Sequence, residues 1–142
     1  MKYMIMLMGS QHDYDLLTGN TPADRQPWTV EEIRKMHEFL ADWNNALVES
    51  GEFVEARGLS APAHARRVST KDGVPVVTDG PYPETQEVLA GYTIVECESL
   101  DRATEIAARL ANTPHPEDNQ PDDAPWYVDI RPIAEHRPEP EV

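Results

Sequence analysis

An α+β fold, with helices over one face of an antiparallel sheet, is predicted by three features of the sequence. Short apolar runs of strand length alternate with two segments of helical periodicity. Asp72-Gly73 separates two β-prone runs, which is a hairpin signal. The last ordered segment, Trp126 to Ile133, is again β-prone. The chain has 142 residues, a length that suits one domain. Residues 1–134 are read as that domain. Residues 135–142, which include two prolines, are read as a flexible tail.

Lys2 to Met8 is a short apolar run bounded by Gly9 and reads as a strand. Met4, Met6 and Met8 fall on one face, and Tyr3, Ile5 and Leu7 on the other. Both faces are apolar, so both need cover. Residues 9–28 hold Gly, Asn, Asp and Pro and read as a long loop, of a length that is often functional. Thr29 and Glu32 match a capping box. Ile33, Met36, Leu40, Trp43 and Leu47 then recur at helical spacing, up to Gly51 as the C-terminal cap. Phe53 to Ala56 begins a second strand. Arg67 to Thr70 and Val74 to Thr78 flank the hairpin turn, with Pro75 confining the second run to an edge. Leu89 to Glu98 is the most strand-like segment. Tyr92, Ile94 and Glu96 face one way; Thr93, Val95 and Cys97 face the other. Ser99 caps a second helix with Ala103, Ile106, Ala107 and Leu110 on its apolar face. Residues 112–125 read as a loop.

This order is that of a ferredoxin-like split βαβ with an inserted β-hairpin. Two helices cover only one face of such a sheet. A first strand that is apolar on both faces needs a second cover, and the simplest source is the sheet of a partner subunit. A homodimer is therefore expected.

The net charge is -14, from 12 Lys and Arg against 26 Asp and Glu. Phosphate binding needs a cationic surface, so nucleic acid is disfavoured, as is an anionic membrane. The single cysteine, Cys97, cannot form an internal disulfide. The N-terminal apolar run is too short for a signal peptide, and no segment approaches the length of a membrane span. A cytoplasmic protein is expected. There is no phosphate-binding glycine loop, nucleophile elbow or zinc spacing, so neither cofactor nor metal is expected.

Val77-Thr78-Asp79-Gly80-Pro81-Tyr82 continues into Glu84-Thr85-Gln86-Glu87 and Leu89-Ala90-Gly91-Tyr92. With Glu98-Ser99-Leu100-Asp101 and Val128-Asp129-Ile130-Arg131-Pro132-Ile133, this resembles the DGPF-domain group of the YciI-like (YCII-related) superfamily. The resemblance is most specific over residues 77–99. It implies a dimeric α+β barrel, in which two ferredoxin-like sheets close on each other. A few enzymes of the superfamily have a proposed His-Asp acid/base pair. His37 is the histidine near the family's position early in the first helix. After the second helix this chain reads Asn112-Thr113-Pro114-His115 where the family has Asp-Pro. Tyr82 stands for the usual Phe, and Gln86 for a frequent Lys. Members of the group are often encoded beside extracytoplasmic-function sigma factors, which implies a possible regulatory partner.

Asp79 is the best single candidate for chemistry. A carboxylate between a strand and a Gly-Pro turn suits a general base or a ligand contact, although an Asx-turn explains the same residues. Glu84 and Glu87 could join it in an acidic cluster that raises one pKa or holds a hard cation. A solvated acidic surface is the simpler account of them. Arg131 could clamp a substrate carboxylate or pair with Asp79. Tyr82, the motif's aromatic residue, is a candidate ligand contact. His37 could act as acid or base from the first helix, or be a satisfied boundary residue. His12, Asp13 and Asp15 lie together in the expected loop and read as polar loop residues rather than metal ligands. Cys97, between two glutamates, is not expected to be a reactive thiolate. The expected function is a small-molecule site, enzymatic or binding only, in the dimer cavity near Asp-Gly-Pro-Tyr. The alternative is a non-catalytic interaction module engaging a sigma factor.

Overall fold

In the computed structural model the chain runs through β1 (Lys2–Gly9), α1 (Gln11–Thr18), α2 (Val30–Ser50), β2 (Phe53–Gly58) and a 3-10 turn (Pro62–His64). It continues through β3 (Arg66–Lys71), β4 (Val74–Asp79), β5 (Val88–Glu96), α3 (Leu100–Ala108), a second 3-10 turn (Arg109–Asn112) and β6 (Asp129–Pro132). The structure describes residues 1–20, 26–116 and 126–135. The expected tail from residue 136, and parts of the expected loops at 21–25 and 117–125, lie outside the described residues.

Four strands form one sheet in the order β2-β5-β1-β6, with every pair antiparallel. β5 lies between β1 and β2, the strands that α2 joins. β1 likewise lies between β5 and β6, the strands that α3 joins. This is the split βαβ arrangement of a ferredoxin-like sheet. β3 and β4 form a separate two-stranded ribbon, inserted between β2 and β5.

Alternation along the two central strands decides where the core sits. Tyr3, Ile5 and Val95 point to the helical side and are buried against Trp43 and Leu47 of α2 and Ala103, Ile106 and Ala107 of α3. Trp43 also finds a polar partner, as its indole Nε1–H donates to the carbonyl of Ile106 at 3.0 Å. That bond ties the two helices together across the core. The helix signals in the sequence are realised. Thr29 and Glu32 form the capping box of α2, Gly51 closes it in the left-handed conformation, and the Ser99 hydroxyl accepts from the amide of Arg102.

The opposite sheet face carries Met4 and Met6 beside Ile94 and Tyr92 in direct register, with Arg131 and Asp129 on the other flank. Met4, Met6, Tyr92 and Ile94 are all half-buried, and neither α2 nor α3 packs on this side. The β3–β4 ribbon turns at Asp72 (φ 51°) and Gly73 (φ 77°), the geometry of the Asp-Gly hairpin turn. Every residue of the ribbon is exposed.

One expectation is corrected. Residues 9–28 are not a continuous loop, because α1 occupies Gln11–Thr18. Ser10 caps it, Asp13 returns the bond to the Ser10 amide, and Gly19 ends it in the left-handed conformation. Leu16 is its single buried residue, too little for apolar periodicity to reveal the helix. No described helix is long and apolar enough to cross a membrane.

Arg102 at the start of α3 grips Glu52, just before β2, with two N–H groups at 2.7 and 2.9 Å. These bonds hold the Glu52 carboxyl down at about 2, against an ordinary 4.5. The folded-state value is depressed, so the stabilisation is full above pH 4.5 and is lost as pH falls through about 2. Glu52→Gln is expected to cost about 2 kcal/mol at neutral pH. In urea melts at decreasing pH, the gap to the wild type should narrow across that window. Trp43→Ala should cost about 3–5 kcal/mol in the same assay, from the cavity it leaves.

Candidate functional site

The Asp-Gly-Pro-Tyr segment leaves the end of β4 and turns back toward the sheet. Gly80 makes the turn possible. Its φ is +55°, and its amide donates to the carbonyl of Ala65 at 2.8 Å, at the foot of the paired strand. Pro81 and Tyr82 are thereby carried to the edge of a groove of about 350 Å³. One wall is the segment Leu59 to Ala65 around the first 3-10 turn. The other is Tyr82 with Val88 and Leu89 at the start of β5.

α1 buttresses both walls. The single O–H of Tyr14 is shared between the carbonyls of Leu59 (2.8 Å) and Ala90 (3.2 Å). The Gln11 side-chain oxygen accepts from the amide of Ala63 at 2.8 Å. The His12 amide donates to the carbonyl of Glu84 at 3.0 Å, in the segment that follows Tyr82. Burial pushes the Tyr14 phenol up from its ordinary value, so it remains a donor at physiological pH.

The residues singled out from the sequence are dispersed around this groove. Tyr82 lines it. Asp79 is 76% exposed and pairs with the Arg66 Nε at 2.7 Å, rather than with Arg131. Arg131 lies on the sheet face opposite α2 and α3, exposed and beside Met4. Glu87 accepts a hydrogen bond from the Tyr127 hydroxyl, and that carboxylate pushes the phenol up to about 12. Glu84 is exposed and contributes its carbonyl rather than its carboxylate. The described residues hold no group of three His, Cys, Asp or Glu able to bind a metal ion. His37 is exposed on α2 and makes no hydrogen bond or ion pair with Asp79. Asp13 and Asp15 serve α1 itself, in the cap and in a bond from Gln11. The Cys97 thiol is half-buried and donates to the carbonyl of Ser99.

Several groups at the site carried no weight in the sequence reading. The buttress of Gln11 and Tyr14 was hidden by the short helix, although Ser10 and Asp13 have capping-box spacing. Arg66 was legible from the hairpin, since counting outward from the two-residue turn places it opposite Asp79. Arg67, next to it, lies over the Tyr82 ring at 5.4 Å from the centroid. His64 and Ser60 line the groove and had no spacing to flag them.

The YCII-related domain matches residues 1–115, most of the chain. The protein belongs to the YCII-related family. It is also similar to an uncharacterized protein of Rhizobium meliloti (strain 1021), at 28% identity over 125 residues, covering 88% of this chain and 94% of that one. The family match spans α1, the groove and the Asp-Gly-Pro-Tyr turn together. It ends at residue 115, ahead of β6.

Tyr14→Phe removes the hydroxyl that joins β5 to the groove wall and leaves the ring in place. It should cost about 1 kcal/mol in urea melts. It should also speed amide hydrogen exchange at Leu59, whose N–H bonds the same Ala90 carbonyl at 2.8 Å.

Proposed function

We propose that this YCII-related protein binds a small organic molecule, as an enzyme or a binding protein, in the groove beside the Asp-Gly-Pro-Tyr turn. The observation that carries this reading is the placement of Tyr82. The signature turn delivers an aromatic side chain to the wall of a groove whose volume suits a small metabolite. The hydrogen bonds from α1 support the reading, because a site holds its ligand better when its walls are fixed beforehand. Asp79 stands at the foot of the ribbon with Arg66. Both partners are largely exposed, and exposed ion pairs of this kind are worth about 0–1 kcal/mol. The carboxylate is thus available to a ligand at little cost and would act as contact or base.

The protein is further proposed to work as a homodimer through the bare sheet face. Met4, Met6, Tyr92 and Ile94 form a continuous apolar strip there, which a second copy would cover. Arg131 would then sit inside the closed barrel rather than in solvent. A regulatory module that engages a basic sigma factor draws on the charge of -14.

Thermal melts against a panel of small metabolites are expected to show stabilisation of the wild type. A ligand at one hundred times its dissociation constant adds about 2.7 kcal/mol. Asp79→Ala should reduce or remove the shift. A flat panel would overturn the groove reading and favour the interaction module. For the dimer, sedimentation should give twice the chain mass for the wild type. Ile94→Asp, which places a charge in the apolar strip, should give the single chain mass.

A further inference from the structure

We infer that the groove takes a small apolar molecule bearing a single carboxylate, which Arg67 receives at the groove's edge. This rests on the groove reading above and names the ligand's chemical class.

The charges around the site point to an anionic ligand. The chain holds 26 acidic against 12 Lys and Arg residues, so an arginine here should readily find a carboxylate. Two acids around the motif have partners: Asp79 pairs loosely with Arg66, and Glu87 accepts from Tyr127. Among the described residues Arg67 takes part in no ion pair, and its guanidinium lies over the face of the Tyr82 ring. A cation–π contact leaves the guanidinium's hydrogen-bonding capacity for a carboxylate, whose two oxygens its planar fork matches. The ring beneath is itself a wall of the groove, so a single side chain separates the cation from the groove.

The rest of the groove decides the remainder of the ligand. Leu59, Ala61, Pro62, Val88 and Leu89 offer apolar surface. A volume of about 350 Å³ lies at the small end of ligand pockets and suits one ring or a short branched chain. The His64 ring and the Ser60 hydroxyl line the same space and make no hydrogen bond among the described residues, leaving them for a polar substituent. The charge of -14 repels anions at a distance, and the repulsion grows with ligand charge. A monoanion therefore fits better than a phosphate ester or a polyacid.

The test is calorimetric titration of the full chain with pairs matched in shape: benzoate against benzamide, and phenylacetate against phenylacetamide. Three variants, Arg67→Gln, Arg67→Lys and Ala61→Trp, are titrated alongside, each first shown by its unliganded melt to be folded. The acids should bind the wild type at least about tenfold tighter than the amides, as expected for a charge-assisted contact. Arg67→Gln should erase that preference, and Arg67→Lys should retain part of it, since it keeps the charge without the fork. Ala61→Trp, which fills the groove, should abolish binding of both classes. Three results would overturn the inference: amides binding as well as acids, a preference that survives in Arg67→Gln, or acids still binding Ala61→Trp. The first of these leaves the groove as a neutral-ligand site. Failure of every acid and amide overturns the inference too, and the metabolite panel then decides whether the groove reading survives.

Discussion

The antiparallel ladder between β1 and β5 is the constraint from which the rest of the structure follows. These two strands occupy the centre of the sheet, and each is flanked on its other side by a further strand. Their alternation puts Tyr3, Ile5 and Val95 on one face and Met4, Met6, Tyr92 and Ile94 on the other. The crossovers place α2 and α3 on the first face, because its aliphatic and aromatic side chains are what a helix can bury. The second face is left with an apolar strip and two charged residues of β6. A slip of one residue in the ladder would exchange the two faces, so the core and the bare surface are specified by the same register.

The ladder also sets where the groove forms. β1 ends at Gly9, and the chain turns at once into α1 under the Ser10 cap. That brings Gln11, His12 and Tyr14 against the connections entering and leaving the β3–β4 ribbon. These connections have little buried apolar surface of their own. Side-chain and backbone hydrogen bonds from α1 hold them instead. The groove is thus built from the segments on either side of an inserted ribbon and pinned by a helix only eight residues long.

Two ion pairs of the same chemistry have different consequences here. Arg102 and Glu52 are 25% and 15% exposed, bonded through two N–H groups, and the carboxyl is strongly depressed. Arg66 and Asp79 are 68% and 76% exposed and joined by a single short contact. Solvent screens the second pair far more than the first. The first pair fastens the start of α3 to the entry of β2. The second leaves both groups open to exchange with a ligand. In so acidic a chain, Arg67, whose guanidinium lies over an aromatic ring, is set apart from the arginines that brace the fold.

What the sequence determined by itself was local. The capping residues Thr29 and Ser99, Gly51 at a helix end, the Asp72-Gly73 turn and the period-2 faces of β1 and β5 each depend on neighbours within a few positions. Their physics is complete at that range. The Asp-Gly-Pro-Tyr turn was legible for the same reason. α1 was not, because one buried leucine makes no periodic signal and its cap motif is common in loops. Tertiary structure alone decided the distant partners. Glu87 meets Tyr127, and Tyr14 reaches the carbonyls of Leu59 and Ala90, across 45 and 76 positions of chain. Which side chains converge in space depends on how strands stack and loops return, and residue spacing carries that information only where a tight turn sets the register, as it does for Arg66 and Asp79.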